Sequence, residues 1–272
     1  MTTAVSKKAS TEVSTDVLND IYETAGDGAH YDSSEMQIPF IRVLQALSPQ
    51  LNKNKPEFIK GATAGDIYNT VTNQVWPSEN GITVIPVYQE TKYLEFVPRS
   101  QGGGFKGERH ASDPDLQSTH REGSKELLPN GNELVKSDHH FCLILDDDGS
   151  YQPAIVDMKS TALKVSRRWK TQIAMQKVKS PDGRMLTPAL YATMWKLGIV
   201  EESNDQGSWS NWSVDKISLV QSRELFQEAK ALRESIAAGA VKAAADPDRG
   251  SNSSNGSGNS NRGGVRDDEI PF

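Results

Sequence analysis

Apolar positions along this chain fall mostly in short alternating runs, with helical stripes in between. "GITVIPVYQETKYLEFVPR", starting at Gly81, is rich in Ile, Val and Tyr and predicts a strand, with Pro86 marking an edge or a bulge. "HHFCLILDDDGSYQPAIVDMK" sets two apolar runs around a turn-forming cluster and predicts a hairpin. "GDIYNTVTNQVW" reads as two short strands about Thr72 and Asn73, and "GSWSNWSVDKI" as another. Helical spacing is clearest in "SRELFQEAKALRESIAAGAV" and in a basic stretch from Ala162 to Val178. "TDVLNDIYE" predicts a short helix. "IPFIRVLQALS" predicts another, with Pro39 in its first turn and Phe40, Val43, Leu44 and Leu47 on one face. Strands with interspersed helices and no regular alternation predict an α+β fold, not a doubly wound sheet.

Composition divides the chain. Residues 1–35 are rich in Ser, Thr and acids and read as a mobile, disordered N-terminal arm. Residues 36–245 carry the apolar patterning and form the folded body. Residues 246–266 are a Gly/Ser/Asn linker, with a reach of roughly 25 Å in the flexible-coil regime. Residues 267–272 are an acidic tip. Within the body, residues 100–138 hold little apolar content and predict a long loop. Such a loop is either functional, ordering on a ligand, or a surface insertion.

The whole 272-residue chain is 36% apolar, and it has no apolar run long enough to cross a membrane. Cys142 is its single cysteine, so no internal disulfide forms and a reducing cytoplasm is expected. The net charge of −6 argues against a surface that is basic throughout. A local basic groove is compatible with it.

That local excess lies between Lys159 and Arg184, where eight Lys and Arg stand against one Asp. Lys164, Arg167, Arg168 and Lys170 fall outside the apolar stripe of Ala162, Val165, Trp169 and Ile173. One-signed charge at this density suits a phosphate backbone, since each neutralised phosphate releases counterions. Arg99, Phe105 and Lys106 interleave cations with an aromatic ring, as a single-stranded nucleic acid requires. Trp209 and Trp212 stand three apart on a predicted strand, so at most one is expected to be buried and the other is a stacking candidate. The glycines at 102–104 lack a following Gly-Lys-Ser/Thr, which argues against a nucleotide triphosphatase.

Two other chemistries compete. Asp146 or Asp147 with Asp157 and Lys159, at the ends of the predicted hairpin, resemble the core of restriction-endonuclease-like nucleases. There, two carboxylates hold a divalent metal beside a lysine. Acids at a hairpin tip are equally ordinary turn residues. His139, His140 and Cys142 invite zinc, but adjacent strand residues face opposite sides and no second ligand pair stands at the right spacing. His110 and His120 lie in the loop. No metal or cofactor is expected.

The ending "DDEIPF", behind its linker, resembles the acidic tip of bacterial single-stranded DNA-binding proteins, with Glu269 where a third Asp is usual. The resemblance implies a folded domain that binds single strands and a tip that recruits replication, recombination and repair proteins. By position, Asp267, Asp268, Glu269, Ile270, Pro271 and Phe272 would bind the partner. "MQIPFIRVLQALSPQ" and "GDIYNTVTNQVW" are similar to proteins of tailed bacteriophages, which implies the cytoplasm of a host bacterium. Together these imply a phage-encoded, non-enzymatic single-stranded DNA-binding protein with an OB-like antiparallel β-barrel or sheet core and added helices. A strand-annealing mediator is a related alternative. Homo-oligomerisation is compatible with this reading; membrane association is not expected.

Overall fold

The structure, a computed structural model, describes residues 13–24, 37–205, 207–240 and 242–243. The linker at 246–266 and the tip at 267–272 lie outside the described residues, as does most of the arm. The chain divides into a small unit, Met1–Met36, and a main unit, Gln37–Phe272. In the first, α1 (Thr15–Glu23) begins where the Ser14 hydroxyl accepts the Val17 amide and buries none of its residues.

The main unit runs β1 (Gln37–Ile38), β2 (Phe40–Val43), β3 (Ile67–Asn69), β4 (Val75–Trp76), β5 (Ile82–Val97) and β6 (Gly104–Arg109). It continues through β7 (His120–Glu122), β8 (Lys125–Leu127), β9 (Glu133–Leu145), β10 (Tyr151–Lys159) and α2 (Ala162–Ala174). It ends with β11 (Val178–Lys179), β12 (Met185–Leu186), β13 (Thr193–Asn204), β14 (Gly207–Leu219), α3 (Arg223–Ala237) and β15 (Lys242–Ala243). Eleven strands form one sheet along the path β14-β13-β5-β9-β10-β2-β3-β4, with β6, β7 and β8 added at the far ends of β5 and β9. The expected mixture of helices with a large antiparallel sheet is present, and the sheet curls into a half-barrel.

Both faces of the sheet are covered, which explains the continuous apolar run of β9. Cys142 and Ile144 face a core shared with Ile41, Val84, Val156, Trp195 and Trp169 of α2. Phe141 and Leu143 face a second core with Phe40, Ile85, Ile155 and Ala229 of α3. Pro86 sits at a bulge, where the β5–β9 register shifts between Pro86 and Tyr88. The bulge lets proline occupy a central strand despite its missing N–H.

Three local expectations are corrected. The helix predicted from Pro39 is instead strand β2, buried at all four positions, parallel to β10 and antiparallel to β3. Apolar residues buried on both faces satisfy a helical template as readily as a strand. Residues 100–138 are not a structureless loop but hold β6, β7, β8 and the start of β9. The basic helix stops at Ala174. Strand β13, absent from the sequence reading, pairs with β14 over nearly its whole length. It also meets β5, where Gly81 approaches so closely that a Cβ would lie 2.4 Å from the Leu197 carbonyl oxygen.

Candidate nucleic-acid interface

A buried polar chain fixes α2 to the sheet. Asp138 of β9 is 1% exposed. Its carboxylate accepts from Lys170 Nζ (2.6 Å), Ser166 Oγ (2.6 Å) and Thr91 Oγ1 (2.7 Å). Because the Ser166 proton is committed to Asp138, Ser166 Oγ accepts, so His140 Nε2, 2.8 Å away, is its donor. The imidazole also packs on the indole of Trp169, with ring centroids 4.6 Å apart. Burial above all pushes His140 down to about 3, aided by the nearby Lys170 and His139, with Asp138 opposing, so the ring is neutral. Burial would raise the Asp138 carboxyl, but Lys170, Ser166 and Thr91 hold it below its ordinary value.

This anchoring sorts the predicted cations. Lys170 is spent on Asp138. Lys164 reaches Glu202 of β13 at 2.8 Å, a carboxylate that also accepts from Asn211 at 3.0 Å. Arg167 and Arg168 lie exposed on the outer face of α2, and among the described residues neither meets an acid. Trp209 stands opposite Glu202 in the β13–β14 ladder, so the Lys164–Glu202 pair brings it beside α2. It is half-buried, whereas Trp212 is 5% exposed within the core. Burial leaves Trp209 as the stacking candidate of the two.

Strand periodicity carries the sheet face that holds Asp138 along β9 to Lys136. Lys136 is exposed and lies 5.9 Å from the ring centroid of Tyr93, its partner across the ladder. Tyr93 thus lies two positions along β5 from Thr91, which bonds the Asp138 that anchors Lys170. The sequence reading did not single out Lys136. Its alternation with Asp138 and His140 is the signal that marks its face.

Phe105 and Lys106 lie farther along β5. From Thr91 to Phe96 the strand rises roughly 17 Å, and Phe105 packs edge-on against Phe96 at 5.4 Å. Lys106 pairs with Glu95 at 3.1 Å. Arg99 is exposed in the turn between β5 and β6. Glu95 organises this region, the one read from sequence as a loop. It accepts from Arg109 Nε (2.6 Å) and Asn130 (2.8 Å), and also from Asn132, while Arg109 continues to Asp113 at 2.9 Å. Burial would raise its carboxyl; Arg109, Asn132, Asn130 and Lys106 together hold it down to about 2.

The nuclease-type residues are not brought together. Asp146 lies at the β9–β10 turn, where it accepts from Trp76 Nε1 at 3.1 Å. Asp157 lies opposite His139, six strand positions beyond Tyr151 and roughly 20 Å away. It pairs with Arg42 at 3.5 Å, and both are 5% exposed. Asp147 is exposed in the turn, and Lys159 ends β10 opposite Ser137. His139 faces Phe40 and His140 faces Trp169, on opposite sides of the sheet as alternation requires. Cys142 is buried, which pushes its thiol well up. Among the described residues no group of three His, Cys, Asp or Glu is placed to hold a metal, and no helix is long and apolar enough to cross a membrane. Asp267, Asp268, Glu269, Ile270, Pro271 and Phe272 lie outside the described residues.

Residues 7–242 match a family model described as Pam3 phage gp34-like protein. No curated protein and no solved structure matches the chain.

Proposed function

The chain belongs to the Pam3 phage gp34-like family, and we propose, from the arrangement of its charges and aromatic rings, that it binds single-stranded DNA without enzymatic activity. In this reading the body protects single strands in the cytoplasm of a host bacterium. The tip recruits proteins of replication, recombination and repair.

One observation carries it: among the described residues Arg167 and Arg168 face outward with no acidic partner, on a helix that the Lys164–Glu202 pair sets beside Trp209. Cations facing solvent track a backbone, and a flat ring beside them accepts a base. Arg99, Phe105 and Lys106 would extend the path along the β5–β6 ribbon. A curled, largely antiparallel sheet with added helices supports an OB-like manner of holding the strand, an analogy of architecture. At the tip, Phe272 offers a ring, and Asp267, Asp268 and Glu269 suit a basic-rimmed pocket.

Fluorescence anisotropy of a labelled oligonucleotide across a salt series tests the reading. Binding should weaken steeply, with a log–log slope of about −0.7 per phosphate contacted. A flat salt response, or equal affinity for duplex, would overturn it.

A further inference from the structure

Directly after α2 the chain forms a finger. Strands β11 and β12 pair antiparallel, Val178 opposite Leu186 and Lys179 opposite Met185. The turn between them is locked. The Ser180 amide donates to the Arg184 carbonyl at 2.8 Å, and Gly183 takes φ +86°. The Asp182 carboxylate accepts from Ser180 Oγ and, at 2.6 Å, from Arg184 Nε. Asp182 is the finger's one acid, and the turn consumes it.

The finger carries an unusual mixture outward. Cross-strand partners share a face, so exposed Lys179 stands beside Met185, which is 61% exposed. Lys177 flanks them, donating to Thr187 Oγ1 at 2.7 Å. Arg184 is 78% exposed at the tip, Leu186 is 48% exposed, and Met175 at the base is 73% exposed. Lysine and arginine alone would be at home in water. Thioether and isobutyl groups placed among them cost hydration and signal a partner that is both apolar and anionic.

A terminal base pair meets that description. Its flat face is apolar, it is open only where a duplex ends, and phosphates border it on both strands. Methionine and leucine are among the side chains that wedge against base steps in this way. We infer that the β11–β12 finger is a wedge for the junction between duplex and single-stranded DNA. Met185 packs on the last base pair, while Lys177, Lys179 and Arg184 hold the diverging backbones. The inference rests on the single-strand reading above, because α2, three residues upstream, would hold the strand that leaves the junction.

The test compares the full chain on a single strand with a tailed duplex whose single-stranded portion has the same length and sequence. Affinity for the tailed duplex should be roughly tenfold higher, in the range of one stacking contact with a base. Met185→Ser should remove the difference and leave single-strand affinity unchanged, while Met185→Leu should keep it. Both substitutions are at an exposed position, and an unchanged melting temperature would verify the fold. Equal affinity for the two DNAs, or a preference that survives Met185→Ser, would overturn the wedge and leave the single-strand reading standing. Failure to bind either DNA would remove both.

Discussion

The carboxamide of Gln45 bonds both backbone groups of Ser210: Nε2 donates to the carbonyl at 2.9 Å, and Oε1 accepts from the amide at 3.1 Å. Gln45 follows β2, near one end of the sheet path, and Ser210 lies in β14, the strand at the other end. A single side chain thus takes the place of a neighbouring strand and draws the two ends of the curl together. It also occupies backbone groups that an edge strand would otherwise offer to another chain.

Replacing Gln45 by Ala should therefore destabilise the body by about 1–2 kcal/mol, the range for losing partly buried hydrogen bonds to backbone. Gln45→Glu keeps the size but loses the donor, and should destabilise comparably. Denaturant midpoints at constant slope would measure both, and an unchanged midpoint in Gln45→Ala would show that the clip adds nothing.

Among the groups that make the fold sensitive to acid, His140 and Glu95 act in different pH ranges. His140 is held neutral with a value near 3, against an ordinary 6.5. An unfolded chain protonates it first, so its contribution is present above pH 6.5 and lost as pH falls toward 3. Glu95 has a folded value of about 2 against an ordinary 4.5, so its contribution is present above pH 4.5 and lost as pH falls toward 2. Melting temperature should begin to fall below about pH 6.5 and fall further below 4.5. Glu95→Gln should be less stable at pH 7 and should show a smaller decline below pH 4.5. A decline of unaltered size below pH 4.5 in that variant would mean other carboxylates cause it.

Neighbouring cations on α2 should separate into two kinds. Arg167→Glu with Arg168→Glu should leave melting unchanged, because both are exposed, and should weaken single-strand binding. The salt slope should become shallower by about 0.7 for each phosphate that the variant no longer neutralises. Lys170→Met should instead destabilise the protein, by about 1–2 kcal/mol, since it strands the buried Asp138 while its own ammonium is partly solvated. Equal melting temperatures for Lys170→Met and the parent would assign Lys170 to the DNA after all.

Deleting residues 267–272 should leave DNA affinity the same or higher, because the removed acids share the sign of phosphate. Binding to a replication or repair protein of the host, measured by co-purification with a defined candidate, should be lost. Weaker DNA binding after the deletion would place the tip in the DNA site instead.

Strands were legible wherever apolar residues alternate or run between turn formers, as in β3 with β4, β5, and the β9–β10 hairpin. Strand β2 was not, because Phe40, Ile41, Arg42 and Val43 are buried together between neighbours and carry no alternation to read. Residues 100–138 read as loop because they are polar. Their order depends on Glu95, which bonds residues 14 and 37 positions away. The tryptophan pair was partly legible: opposite facing at a spacing of three is a strand property, but which ring the core would take was not.

The α+β character, the one-signed charge between Lys159 and Arg184, and the acidic residues 267–269 can be read directly from the chain, because all three are properties of local composition and spacing. Which of those charges meet an acid among the described residues depends on contacts distant in the chain. Lys170 meets its acid across 32 positions and Lys164 across 38. Neutralisation falls off over a few ångströms of space, whatever the separation along the chain. What the folded sheet places beside each side chain separates Arg167 and Arg168 from Lys164 and Lys170.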